Sequence, residues 1–154
     1  DYLINFLGSD SGFGNNNNSG YRQNNFILID CGFTIFEKLK NQFDFNNYDN
    51  INVIITHLHN DHAGSLSQFI LYIWFIYHKK VNVFSNCINI KQYLKITGTP
   101  DEAYNLDTNT LDVTFIETKH VKELDAYGFY IRVKNKNVLY TGDTCELAPF
   151  EKYL

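Results

Sequence analysis

Three of the five histidines fall within six residues, His57-Leu58-His59-Asn60-Asp61-His62. The run follows Val53-Ile54-Ile55, an apolar, β-branched stretch that reads as a buried strand. A strand ending this way crowds several imidazoles and a carboxylate into one small volume at its tip. That ligand mix suits a borderline cation such as zinc. The competing reading is a polar loop with surface histidines. The density of ligands, with Asp61 between two of the histidines, argues against it.

The whole stretch Thr56-His57-Leu58-His59-Asn60-Asp61-His62-Ala63-Gly64 resembles the Thr-His-x-His-x-Asp-His-x-Gly signature of the metallo-β-lactamase fold. The family's other landmarks have counterparts in order. Asn5-Phe6-Leu7-Gly8-Ser9-Asp10-Ser11-Gly12 resembles the first strand and its glycine-rich loop, and Phe26-Ile27-Leu28-Ile29-Asp30-Cys31-Gly32 the strand that ends in Asp-Cys-Gly. His120 follows the strand-like Val113–Thr118, and Tyr140-Thr141-Gly142-Asp143-Thr144 resembles the strand that ends in a bridging aspartate. The glycine-rich start and the Thr-Gly-Asp-Thr end are most similar to ribonuclease Z and its cyclic-nucleotide phosphodiesterase relatives, such as the phage anti-Pycsar phosphodiesterases.

The resemblance implies an α/β architecture, the four-layered αββα sandwich built of two similar halves. This chain would hold the first half and the start of the second, so it is expected to be truncated in its C-terminal half. The resemblance also implies a ligand set. His57, His59 and His120 would hold one metal, Asp61 and His62 a second, and Asp143 would bridge them. Two zinc ions are implied, with Mn²⁺ as the alternative, sharing a hydroxide that attacks a phosphodiester. Asp61 has a second role open to it, orienting that hydroxide or taking its proton. The family's last metal-binding histidine has no candidate after Asp143. Asp30 matches an aspartate that is near the metals but mostly structural. The Gly8–Gly14 loop can offer backbone N–H groups to an anion and line the substrate pocket.

Length and charge bound the rest. At 154 residues, one domain spanning 1–154 is expected, incomplete by the family's standard. A formal charge of −4 gives no broad basic field, so binding of long nucleic acid is not expected. Lys79-Lys80 and Lys134 with Lys136 read as solvated turns, with a local basic patch as the alternative. Three cysteines without metal spacing argue against a secreted disulfide scaffold and for a reducing, cytoplasmic setting. Cys145 is read as a small buried residue, with closeness to the metals as the alternative. No signal peptide is visible, and with no Met at all the chain is expected to begin after a processed or removed N-terminus.

These ligands must be positioned by regular elements. Strands are expected at 2–7, 25–30, 51–56, 81–85, 111–118, 127–134 and 137–141, and helices at 33–43, 65–79 and 88–96. A Gly/Asn/Ser loop should join the first two strands, a loop should surround Pro100, and Asn135-Lys136-Asn137 should turn the last hairpin. His78 reads as an exposed helix end. The segment Phe69–Tyr77 is apolar on every side and too short to span a bilayer. Such a helix needs cover on all faces. A homodimer through it is one solution, which the resemblance also implies, and burial within its own domain is the other.

Three functions compete. The first is hydrolysis of a small, cyclic nucleotide by a phosphodiesterase. The second is ribonuclease Z-type trimming of transfer RNA 3′ ends. The third is metal binding or regulation without turnover. Bacterial-type ribonucleases Z carry a long tRNA-gripping arm between the positions of His120 and Asp143. Here that interval holds only a turn and two strands, which favours the small nucleotide.

Overall fold

A strand covered on both faces needs apolar side chains at odd and even positions alike. Ile51–Ile55, β4, meets that demand. All five residues are buried, with Ile51, Val53 and Ile55 in one apolar cluster and Ile54 in another. The structure is a computed structural model that describes residues 3–106 and 108–154. It places β4 in a six-stranded sheet with β1 (Asn5–Gly8), β2 (Ser19–Arg22), β3 (Ile27–Ile29), β5 (Val81–Ser85) and β6 (Tyr104–Leu106), in chain order across the sheet. The pairs β1–β2 and β2–β3 are antiparallel, and β3–β4, β4–β5 and β5–β6 are parallel.

Parallel neighbours require crossovers, which helices supply. α1 (Ile35–Gln42) links β3 to β4, the one-turn α2 (Asn60–Ala63) and α3 (Leu66–Tyr77) link β4 to β5, and α4 (Ile90–Ile96) links β5 to β6. They bury Ile35, Leu39, Leu66, Phe69, Ile70, Ile73 and Leu94 against one face of the sheet.

The other face meets a second, antiparallel sheet of order β7-β8-β9, made of Val113–Thr118, Ala126–Val133 and Lys136–Tyr140. Ile27, Ile29, Ile54 and Phe84 from the first sheet pack with Phe129 and Ile131 from β8. On the outer side of the second sheet, a 3-10 helix at Ala148–Tyr153 sets the buried Phe150 against Gly128. A Cβ on Gly128 would lie 2.7 Å from Phe150 Cζ. The layers are therefore helices, sheet, sheet, and one 3-10 turn.

Three expectations change. β2 was expected to be loop, because Ser19 and Gly20 are poor strand formers. Pairing on both sides decides otherwise: Gly20 faces Phe6 and Ile29, and Ser19 Oγ donates to the carbonyls of Ile29 and Asp30. β6 was also expected to be loop. It is fixed by side-chain amides running from Asn105 to Asn82 to Asn52 across three parallel strands, at 3.1 Å each. The last hairpin turns at Lys134-Asn135, not at Asn135-Lys136-Asn137. Both residues have positive φ, 46° and 61°, the geometry a two-residue turn needs to match strand twist. The first expected strand began at Tyr2, which lies outside the described residues.

α3 is apolar all round but is not covered all round. Leu66, Phe69, Ile70 and Ile73 are buried, whereas Phe75 and Ile76 stand exposed. His78 ends the helix in a left-handed conformation and is exposed, as expected. Among the described residues, no helix is long and apolar enough to cross a membrane. Cys31 and Cys87 are buried, but Cys145 is exposed, contrary to the reading from composition.

The contact between the sheets is tested at Phe129, which is fully buried and stacks on Tyr140 at 5.2 Å between ring centroids. Phe129→Ala should cost about 3–5 kcal/mol, through lost transfer energy and the cavity left behind. Urea unfolding followed by circular dichroism would show a lower midpoint. A midpoint unchanged within error would mean that the two sheets do not depend on this contact.

Candidate metal centre

The site forms where β3 and β4 end beside one another. β4 delivers Thr56 and the fully buried His57. The chain then turns at His59, an extended N-cap residue, into α2, whose first turn holds Asp61 and His62. Four potential ligands at positions i, i+2, i+4 and i+5 thus come from a strand tip and one helical turn. His120 arrives from the end of β7 and Asp143 from the end of β9. Tyr127 N donates to Thr56 O at 3.0 Å, Cys145 N to Lys119 O at 2.8 Å, and Thr118 Oγ1 to Asp143 O at 3.2 Å. The first bond ties the second sheet to the first, and the other two hold the ends of β7 and β9 together. Two glycines permit the approach. Gly32 lies so close to the Asp61 carbonyl that any Cβ would collide with it. Gly142 adopts φ +62°, a region that favours glycine.

Asp30 sits beneath this cluster, fully buried with φ 59°. Its Oδ1 accepts from Thr56 N at 2.8 Å, and its Oδ2 from Thr56 Oγ1 at 2.8 Å and His62 Nδ1 at 2.7 Å. The Thr56 hydroxyl hydrogen is committed to Asp30, so its oxygen accepts from His57 Nδ1 at 3.1 Å. One carboxylate therefore sets the hydrogen-bonding ends of two imidazoles, directly for His62 and through Thr56 for His57. Both Nε2 atoms are turned toward the cleft. Thr56 was the functional residue that spacing alone missed, although it stands at the head of the histidine motif.

The ligand atoms converge. His57 Nε2 lies 3.1 Å from His59 Nδ1, which lies 3.3 Å from His120 Nε2. Around a tetrahedral zinc with bonds of about 2.0–2.1 Å, neighbouring nitrogens sit about 3.3 Å apart. The two pairs through His59 are close to that spacing, and all three ligand atoms lie within 4.8 Å of one another. A second group comprises His57, His62 and Asp143. Asp143 Oδ2 is 3.3 Å from His62 Nε2, 3.7 Å from His120 Nε2 and 3.9 Å from His57 Nε2. One carboxylate oxygen thus stands beside both groups. Asp61 belongs to neither, yet its Oδ2 is 3.2 Å from His62 Nε2. All six residues singled out from the sequence meet here.

Electrostatics fit a cation. Burial, reinforced by the charge on His62, pulls His57 down to about 3, so it is neutral and able to coordinate. Burial also pulls on His62, but its hydrogen bonds to Asp143 and Asp30 prevail and raise it to about 10. The hydrogen bond from His62 holds Asp143 down to about 2, against the effect of its own burial. Burial pushes Asp30 up, opposed by His62 and Thr56. The positive charge that these carboxylates call for at His62 Nε2 is one that a metal ion would also supply.

The cluster opens into a cleft of about 670 Å³. The Ser9–Phe13 loop, Asn18 and Asn60 form the rest of its wall, so the glycine-rich loop stands where it was expected. Asn18 Nδ2 donates to Tyr140 Oη at 3.1 Å and braces that wall. A second cavity, lined by Arg22, Lys134 and Lys136, lies at the opposite ends of the strands and holds no group of metal ligands.

The sequence profile of the family described as anti-Pycsar protein Apyc1 matches residues 3–92. The chain belongs to this family. Its fold is that of the metallo-β-lactamases. It superposes on the metallo-β-lactamase fold protein YhfI from Bacillus subtilis with a TM-score of 0.78 and 19% identity, over 97% of this chain and 66% of that one. On the short form of human tRNase Z the TM-score is 0.67 at 16% identity, over 91% of this chain and 68% of that one. The chain thus spans just under two thirds of the length of YhfI. At these identities the likeness is one of fold. No curated protein sequence matches. For this member of the Apyc1 family, the match ends at residue 92, so His120 and Asp143 are tied to the site by geometry alone.

Replacing Asp30 tests the orienting bonds. In Asp30→Asn the amide can still accept from Thr56 N, but its NH₂ would face the donor on His62. Zinc affinity should fall about 10–100-fold, with circular dichroism near that of the parent. Competition with a fluorescent chelator measures this. Unaltered affinity would show that Asp30 does not orient the ligands.

Proposed function

We propose that this protein is a metal-dependent phosphodiesterase acting on a small, cyclic nucleotide. The observation that carries the reading is Asp143 Oδ2, placed within 3.9 Å of three histidine nitrogens at the floor of an open cleft. The donor set fits metal: neutral imidazoles and carboxylates aimed at common points. His57, His59 and His120 would hold one ion and Asp61 with His62 a second, with Asp143 shared. Zinc is the first choice and Mn²⁺ the alternative. Bound divalent ions supply a lowered pKa for water and stabilise charge on a phosphoryl group. Asp61, which lines the cleft beside His62, is the residue to take the proton of the attacking water. Asn18, Asn60 and the Ser9–Gly12 loop supply hydrogen bonds for sugar and phosphate.

The ribonuclease Z reading has less support. Between His120 and Asp143 the chain forms only β8, β9 and a two-residue turn. The net charge of −4 also does not favour transfer RNA. Three free thiols favour a reducing, cytoplasmic setting.

With Zn²⁺ or Mn²⁺ present, the protein should hydrolyse bis-p-nitrophenyl phosphate and a 3′,5′-cyclic nucleotide. Asp61→Ala should reduce kcat by at least about 100-fold with an unchanged unfolding midpoint. Efficient cleavage of precursor transfer RNA, with cyclic nucleotides ignored, would reverse the ranking. No turnover of any diester at full metal loading would favour the non-catalytic reading.

Metal stoichiometry gives a separate test. His57, His59, His120 and Asp143 offer four donors to one ion, whereas Asp61, His62 and Asp143 offer three to the other. Plasma emission spectrometry of the purified chain should find nearer one ion than two. A firm two, without added metal, contradicts the unequal sites.

We also infer a homodimer through α3. The adjacent Phe75 and Ile76 are 65% and 60% exposed, beside half-buried Leu71 and Trp74. Large apolar side chains left in water favour association by roughly 1.5–3 kcal/mol each when buried. Sedimentation at tens of micromolar should find a dimer that Phe75→Glu dissociates. A monomeric parent would refute it.

A further inference from the structure

We propose that Phe13 is the platform on which the base of the nucleotide substrate stacks, an assignment that rests on the phosphodiesterase reading. Phe13 is fully exposed, at 106% of its reference area, and joins neither apolar cluster. Its side chain therefore has no part in the packing of the fold. The backbone that carries it is nonetheless held. Asp10 N donates to Asn16 O at 2.7 Å, Asn18 N to Asp10 O at 3.1 Å, and Gly14 N to Ser11 O at 2.9 Å. Asp10 Oδ2 accepts from Asn16 N at 2.9 Å, and Lys38 Nζ donates to Leu7 O and Asn16 Oδ1, each at 2.6 Å.

This braced loop aims its tip at the chemistry. A Cβ built on Gly12 would lie 3.7 Å from Asp61 Oδ2, in ordinary contact. Phe13 is the next residue, and it lines the same cleft as His59, His120 and Asp143. Every other side chain on that wall is Ser, Asp, Asn or His. A polar floor with one apolar π-face beside it matches a molecule with a charged phosphodiester at one end and a flat aromatic base at the other. Stacking uses the face that every base possesses, so it gives affinity with little choice among bases.

The test compares two substrates of the metal-loaded protein. One is a 3′,5′-cyclic nucleotide, and the other is the same cyclic ribose phosphate as its methyl riboside, without a base, followed by ³¹P NMR. Phe13→Ala should lower kcat/KM for the nucleotide about tenfold more than for the base-free diester. Phe13→Tyr and Phe13→Trp should restore the nucleotide preference, and Phe13→Leu should not. Equal losses on both diesters, or none on either, overturn the assignment.

Binding decides the matter independently of turnover. In Phe13→Trp, a nucleoside 5′-monophosphate should quench the added emission, and ribose 5-phosphate should not. If the parent hydrolyses neither diester, the hydrolase reading falls and this arm alone settles the stacking. No quenching, or an emission shift that follows protein concentration because a second copy covers the ring, overturns it.

Discussion

The site depends on a single buried carboxylate. Asp30 is out of water and in a left-handed backbone conformation, two costs that persist only where the surroundings compensate them. Three hydrogen bonds to its two oxygens provide that compensation. Two of the bonds hold Thr56 to the end of β3, so they also lock the ends of β3 and β4 side by side. The third holds His62. Through Thr56, the same carboxylate determines which nitrogen of His57 is left facing the cleft. Fold and ligand orientation are therefore coupled at one residue. A fault there would displace the strand tips and misdirect the imidazoles together.

The remaining ligands reach the site by a different route. His120 and Asp143 come from the second sheet, whose position follows from apolar packing between the sheets and from the bond of Tyr127 to Thr56. Neither is near the histidine motif in sequence. Their approach depends on β8 lying in register with β7 and β9, and on the tight Lys134-Asn135 turn. The centre is thus assembled across the seam of a sandwich: one wall is rigid and preset by Asp30, and the other is brought in by packing. The cleft opens where the two sheets' ends and the glycine-rich loop meet, so small molecules can reach a cluster whose floor is buried.

Much of this was legible in the chain. The apolar run of β4 and the dense ligands after it located the centre. The fold was legible through the resemblance of the ordered landmarks to a known family, and in the structure these landmarks lie at strand ends around the site. The cluster picked from types and spacing, and the His120 and Asp143 that the family resemblance added, lie together in space. Asp30 was ambiguous by type, near the metals but mostly structural by the resemblance, and its bonds to Thr56 and His62 show what it holds. The misses share a cause. β2 and β6 are short, Ser-Gly-Tyr-Arg and Tyr-Asn-Leu, and their Ser, Gly and Asn are poor strand formers that neighbouring strands make extended. Cys145 appeared buried by type, but its side chain faces water. The exposed Phe75 and Ile76 likewise carry no mark that separates them from the buried Phe69 and Ile70, because α3 lacks an amphipathic stripe.

By itself, the sequence determined which side chains could serve as ligands and which runs would be buried, since side-chain chemistry and periodicity are local properties. Tertiary structure alone decided how those ligands are shared. It placed His57 in two groups, put Asp143 within reach of both, left Asp61 outside both but beside His62, and turned Thr56 into the link between a carboxylate and an imidazole. The physical reason is one of scale. Hydrogen bonds and metal coordination are decided within a few tenths of an ångström, and such distances between residues far apart in the chain arise only from the packing of whole sheets.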